Sequence, residues 1–133
     1  MVGILIIDDT VFMRTILSTL VTEGGHEVVA EAEDGYLGIS EFINTKPDLV
    51  LLDILMPKMD GIMTLKSLMS YDPEALVIMV SAINSTKMIK LAFSCGAKGY
   101  VMKPFQKHQL LAEIAKATAG IVPKVRPDPH TDQ

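Results

Sequence analysis

The sequence is poor in the features that mark exported, membrane-bound or nucleic-acid-binding chains. It has a single cysteine, Cys95, so no internal disulfide can form, which fits a reducing compartment. No uninterrupted apolar run approaches the roughly 20 residues that a membrane helix needs. The apolar opening, residues 2–7, stops at Asp8 and Asp9 and is too short for a signal-peptide core. A soluble, cytoplasmic protein without membrane insertion is expected. Basic charge is not in excess: 12 Lys and Arg stand against 16 Asp and Glu, a formal net charge of -4. Direct nucleic-acid binding is therefore not expected, since little could neutralise a phosphate backbone. Low-complexity tracts and internal repeats are missing too.

What is present is enough for one domain with a core. The chain has 133 residues, 49% hydrophobic and 21% charged, which excludes disorder over most of its length. Short apolar runs alternate with longer amphipathic segments, the mark of repeated strand–helix units. Strands are predicted over 3–8, 27–32, 48–53, 75–80 and 99–102, and helices over 11–23, 36–45, 62–70, 85–95 and 106–119. The runs Ile4-Leu5-Ile6-Ile7, Leu49-Val50-Leu51-Leu52 and Leu76-Val77-Ile78-Met79-Val80 have no polar alternation, as in parallel strands covered on both faces. The second strand alternates, with Glu27 and Glu31 among apolar residues, and is expected at an edge. In the last helix Leu110, Leu111, Ile114, Ala115 and Thr118 make one apolar stripe. Gly24-Gly25, Asp34-Gly35, Asp72-Pro73 and Gly96 punctuate the elements. The fold class is α/β, an open parallel sheet with helices on both faces. Residues 1–119 form the domain. Residues 120–133, with Pro123, Pro127 and Pro129 and no periodicity, read as a Pro-rich tail or linker.

In such a sheet the ligand crevice lies at the carboxyl ends of the strands. Element order alone brings Asp8, Asp9, Asp53, Ser81 and Lys103-Pro104 to that rim. Each by itself has a plain explanation as a cap, turn or loop residue; five at one rim do not. Two carboxylates about 4 Å apart repel by roughly 1 kcal/mol in water and about 4 kcal/mol at an effective dielectric near 20. Three need more counter-charge than Lys103 supplies, and an all-oxygen site of this kind suits Mg²⁺. A cation and a lysine can hold the oxygens of a transferring phosphoryl group while a carboxylate attacks phosphorus.

These residues carry a family resemblance. Asp8-Asp9 followed by Phe12-Met13-Arg14, the segment D-I-L-M-P-K-M-D-G from Asp53 to Gly61, Ser81-Ala82, and G-A-K-G-Y-V-M-K-P-F from Gly96 to Phe105 stand in one order. Over residues 2–119 the chain resembles the receiver domains of two-component response regulators, of the stand-alone, CheY-like chemotaxis type. The resemblance implies a flavodoxin-like (βα)5 fold with strand order 2-1-3-4-5, an order for which the chemotaxis protein is itself a standard example. It implies that Asp53 accepts a phosphoryl group from a histidine kinase. Asp9, Asp53 and the backbone carbonyl of Leu55 are then Mg²⁺ ligands, with Mn²⁺ as a substitute, and Asp8 acts through a water. Lys103 and Ser81 meet phosphoryl oxygens, Pro104 follows a cis peptide bond, and movement of Ser81 lets Tyr100 turn inward. Ile89, Phe93, Tyr100, Met102 and Phe105 are the candidate face for a downstream target, such as a flagellar or archaellar motor switch or an adaptor. Of these, Phe93 and Met102 also fit a core position. The chain is expected to act as a signalling protein rather than an enzyme, as a monomer or weak dimer.

Leu55 and Ile83 lie two positions after Asp53 and Ser81, where many relatives of this kind carry polar groups, so slow self-dephosphorylation is expected. His26, His108 and His130 have no metal-site spacing and are assigned no role. Cys95 is expected to be a small core group. A flavin-binding module is disfavoured because the acid pair would repel a phosphate, and an aspartyl phosphohydrolase because position 55 is not acidic. The remaining alternative is the receiver domain of a larger regulator with a DNA-binding or enzymatic output.

Overall fold

The computed structural model describes residues 1–126; Pro127, Pro129 and His130 lie outside the described residues. Five strands alternate with five helices: β1 (Gly3–Ile7), α1 (Val11–Glu23), β2 (Glu27–Ala32), α2 (Gly35–Thr45), β3 (Leu49–Leu52), α3 (Gly61–Tyr71), β4 (Val77–Ser81), α4 (Thr86–Ser94), β5 (Gly99–Met102) and α5 (Lys107–Ala117). All pairings are parallel and the order is β2-β1-β3-β4-β5, with β2 at an edge as its alternation indicates. Among the described residues no helix is long and apolar enough to cross a membrane.

The unbroken apolar runs are explained by the two faces they serve. Successive strand side chains point to opposite sides. Leu5, Ile7, Val50, Leu52, Val77 and Met79 pack with Phe42 of α2, Ile62, Leu65 and Leu68 of α3, and Ala92 of α4. Ile4, Ile6, Leu49, Leu51, Ile78 and Val80 pack on the other side with Leu17 and Val21 of α1 and Leu110 and Ile114 of α5. The α5 stripe is narrower than expected: Ala115 is exposed, while Ala117, three residues after Ile114, packs against the core. Cys95 is half-buried against the other face.

Register ties the strands so that their carboxyl ends finish together, with Ile7 opposite Leu52 and Ser81 opposite Met102. Strands β1 and β3 stop one residue before Asp8 and Asp53, which frees both acids for the rim. Close approach elsewhere sets the β3–α3 loop. The Gly61 N–H donates to the Ile54 carbonyl at 2.8 Å, and a methyl group at Gly61 would fall 2.0 Å from the Asp53 carbonyl oxygen. Only glycine fits there.

Residues 121–126, expected as part of a tail, lie against the domain. Ile121 packs on the α1/α5 face, and Lys124 and Arg126 reach Asp48 at the start of β3. These contacts run through a main-chain N–H and one ion pair, neither of which leaves a periodic sequence pattern.

Candidate functional site

The acid cluster assembles from strand ends. Carboxylate oxygens of Asp8, Asp9 and Asp53 lie within 4.8 Å of one another. Asp8 and Asp53 are buried, at 1% and 6% exposure, whereas Asp9 is open to solvent. Lys103, from the residue after β5, places Nζ 2.8 Å from Asp8 Oδ2 and 3.1 Å from Asp53 Oδ2. Burial pulls this ammonium toward neutrality, but hydrogen bonds and charge from Asp8 and Asp53 outweigh it and hold the Lys103 pKa above that of ordinary lysine. The Lys103–Pro104 peptide bond is cis.

Each acid is also oriented locally. Asp53 Oδ1 accepts from the N–H groups of Ile54 at 2.7 Å and Leu55 at 3.3 Å. Asp8 Oδ1 accepts from the Thr10 N–H at 3.0 Å and hydroxyl at 3.2 Å. Sequence reasoning left Thr10 without a part and weighed helix capping only as the plain explanation of the acid pair taken alone. The cap is Thr10, whose hydroxyl accepts from the Met13 N–H, and Asp8 and Asp9 are thereby released for the rim. Arg14, quoted in the motif but given no role, donates from Nη1 to the Asp8 carbonyl at 2.6 Å and pairs through Nε with Glu31 on β2 at 3.4 Å. A Thr one residue past an acid pair, with Arg one helical turn on, is the signal that was available for both.

Ser81 ends β4 and is fully buried; its Oγ accepts from the Ile83 N–H at 3.2 Å. Tyr100 is half-buried against the core and its hydroxyl donates to the Ile83 carbonyl. It is thus turned inward while Ser81 still holds the Ile83 N–H, an arrangement that the resemblance implied only after Ser81 moves. The Ile83 carbonyl gives the phenol a partner without that movement. Burial first, then the Asp53 charge, raise the Tyr100 pKa against the opposing effect of the Ser81 hydroxyl.

Candidate partner-face residues fall on α4, β5 and the turn into α5. Ile89, Tyr100 and Phe105 are half-buried, while Phe93 and Met102 are 47% and 41% exposed, which excludes the core position also considered for those two. Beside the acids, Leu55 is exposed and, with Ile83, lines an apolar groove of about 440 Å³ between the β3–α3 loop and α4.

The donor set fits a hard divalent cation. Three carboxylates cluster around one ammonium that pairs with only two of them, Asp8 and Asp53, all ligand atoms are oxygens, and the exposure of Asp9 leaves room for water.

Comparison with known proteins agrees with this geometry. A family model described as the response regulator receiver domain matches residues 4–115. The chain is 44% identical to the chemotaxis protein CheY of Listeria monocytogenes over 117 residues, 88% of this chain and 98% of that one. It is 43% identical to the chemotaxis protein CheY of Bacillus subtilis over 113 residues, 85% of this chain and 94% of that one. Among solved structures, a chain of the CheX–CheY–BeF3–Mg²⁺ complex from Borrelia burgdorferi superposes with a TM-score of 0.86 at 34% identity, covering 88% of this chain and 89% of that one. From sheet order, acid rim and these matches together, the chain belongs to the response regulator receiver domain family, as a CheY-like receiver of two-component signalling.

Proposed function

We propose that Asp53 accepts a phosphoryl group from a phosphohistidine on a partner histidine kinase, and that the modified chain acts on a downstream target in a chemotaxis-type relay. The observation that carries this reading is the Lys103 ammonium held between Asp8 and Asp53 inside the acid cluster. Bound Mg²⁺, or Mn²⁺ in its place, held by Asp9, Asp53 and the Leu55 carbonyl with Asp8 reached through water, supplies positive charge for the phosphoryl oxygens. The Asp53 carboxylate attacks phosphorus. The P–N bond breaks, its electron pair returning to the imidazole, and a P–O bond forms. Lys103 meets one phosphoryl oxygen and Ser81 donates to another, so the chain contributes donors where charge gathers.

Phosphorylation adds about 1.5 to 2 negative charges at a rim already acidic, and its effect is to draw those donors in. Ser81 then gives up the Ile83 N–H, to which it is now bonded. Tyr100 stays inward on the Ile83 carbonyl. The consequence reaches Ile89, Phe93, Met102 and Phe105 on the α4–β5–α5 face, which is the surface offered to a motor-switch or adaptor-type target. The Borrelia CheY is found in complex with CheX, and a partner of that kind fits the same reading.

Incubation with acetyl phosphate or a phosphorylated kinase, with and without Mg²⁺, tests it by intact mass. A gain of one phosphoryl group that needs Mg²⁺ and is lost in Asp53→Ala is expected. A gain that persists in Asp53→Ala overturns the assignment.

A further inference from the structure

Asp48 lies at the amino end of β3, the pole of the sheet opposite Asp53, and has no part in the phosphoryl site. It is nonetheless a buried carboxylate at 5% exposure, and both of its oxygens are occupied. Oδ2 accepts from the Gly3 N–H at 2.7 Å and from Arg126 Nη1 at 3.0 Å; Oδ1 accepts from the Lys124 N–H at 2.7 Å. Two of the three donors therefore come from the segment after α5. Lys124 Nζ adds a contact to the Pro47 carbonyl at 3.2 Å, and Ile121 packs on the α1/α5 core. Gly3 is part of the fit: a methyl group there would fall 2.3 Å from Arg126 Nη2.

A main-chain N–H is read at one position and a guanidinium one residue beyond its neighbour, while the aliphatic residue near the start is packed. Burial would raise the Asp48 carboxyl, but the donors of Gly3, Lys124 and Arg126 outweigh it and hold the pKa below the ordinary carboxylate value. The segment thus supplies two of the three donors that keep this carboxylate satisfied under cover. The family model ends at residue 115, before the segment that supplies Lys124 and Arg126 begins.

We propose that Asp48 is the floor of a binding site for an extended basic segment, filled in cis by residues 121–126, and that its occupancy ties the end of α5 to the amino ends of β1 and β3. Because the site is at the far pole, emptying it leaves phosphoryl acceptance at Asp53 intact. Tethering favours the chain's own segment over any competitor, since a short tether gives an effective concentration in the millimolar range.

Amide hydrogen exchange on the full-length protein tests the proposal. Lys124→Pro removes the N–H and Arg126→Met the guanidinium, both in the segment after α5 and outside the sheet and helices, and far-UV circular dichroism checks that each variant stays folded. Exchange of the Gly3 amide is expected to rise at least about tenfold in both, the loss of one hydrogen bond to a charged group. The rest of the sheet should stay protected. Lys124→Ala keeps the N–H to Asp48 and loses only the Nζ contact to the Pro47 carbonyl, so Gly3 exchange is expected to rise less than in Lys124→Pro. A synthetic peptide of residues 119–128, added at millimolar concentration to the Lys124→Pro variant, restores Gly3 protection, and the same peptide carrying Arg126→Glu does not. Gly3 exchange as fast in the parent as in both variants, or no restoration by the peptide, overturns the proposal. Acetyl phosphate labelling of the variants separates this outcome from a failure of the phosphoryl assignment.

Discussion

The Lys103 ammonium joins Asp8 and Asp53, at 2.8 and 3.1 Å, so one side chain beyond β5 holds acids from the ends of β1 and β3. Lys103 is only 16% exposed and its partners less than 10%. Removing one member of a buried pair costs about 3–5 kcal/mol, because the partner's charge is left uncompensated. Lys103→Met is expected to lose stability of that order when divalent cations are chelated. Mg²⁺ should return part of it by supplying the missing positive charge. Urea unfolding with a chelator and with Mg²⁺ measures the difference; equal destabilisation in both would mean that the acids do not share an ion.

Tyr100 is expected to titrate late. Its pKa is raised, chiefly by burial. A group raised in the folded state contributes stability that is complete below its unfolded pKa, about 10 for tyrosine, and is lost as pH rises through the folded value. Tyrosinate absorbance across the alkaline range should show a component above the ordinary region that vanishes in Tyr100→Phe. That variant also leaves the Ile83 carbonyl without its donor, which costs about 0.5–1.5 kcal/mol. An unchanged absorbance titration in Tyr100→Phe would place the late component elsewhere.

The parts of this molecule legible in its sequence are those written in periodicity and order. Ile4-Leu5-Ile6-Ile7 reads as a doubly covered strand because its odd and even residues serve different faces, and they do. Asp8, Asp53 and Lys103 could be brought to one rim because each directly follows a strand in a parallel sheet. What escaped is local or aperiodic. Thr10 and Arg14 act on backbone and carboxylate groups within six residues of Asp8, contacts that hydropathy does not encode. Met102 ends the edge strand β5 and is exposed where an interior strand residue would be covered. Residues 121–126 dock through a main-chain N–H and a guanidinium, contacts that no periodicity marks, so the stretch from Pro123 onward resembled a solvated tail.

Arg14 should matter to the acid pair although it touches neither carboxylate. Its Nη1 grips the Asp8 carbonyl, and its Nε reaches Glu31. Arg14→Met removes a hydrogen bond from a charged group, worth about 1.5–3 kcal/mol. Calorimetric titration should show weaker Mg²⁺ binding, with Arg14→Lys intermediate because an ammonium cannot reproduce the planar fork. Lost stability with unaltered Mg²⁺ affinity would confine Arg14 to packing.

The acyl phosphate on Asp53 is expected to be long-lived. Leu55 is 59% exposed beside the acids and offers no hydrogen bond to an attacking water. In Leu55→Asn, one added net hydrogen bond of about 1 kcal/mol corresponds to roughly fivefold faster hydrolysis. Loss of the phosphorylated mass after removal of the donor gives the rate. A parent that hydrolyses rapidly, with Leu55→Asn no faster, would contradict this.

Acidification should weaken the opposite pole through His26. Its Nδ1 accepts from the Val2 N–H at 3.3 Å, which only the neutral ring can do. Burial, then the charge of the N-terminal ammonium, hold its pKa below the usual 6.5. A depressed folded-state pKa means stability that is present above the unfolded value and lost as pH falls through the folded one. The urea midpoint is therefore expected to fall between about pH 7 and pH 5, the window in which the unfolded chain takes up the proton. His26→Asn should flatten that dependence. An equally steep fall in His26→Asn would assign the acid sensitivity to other groups.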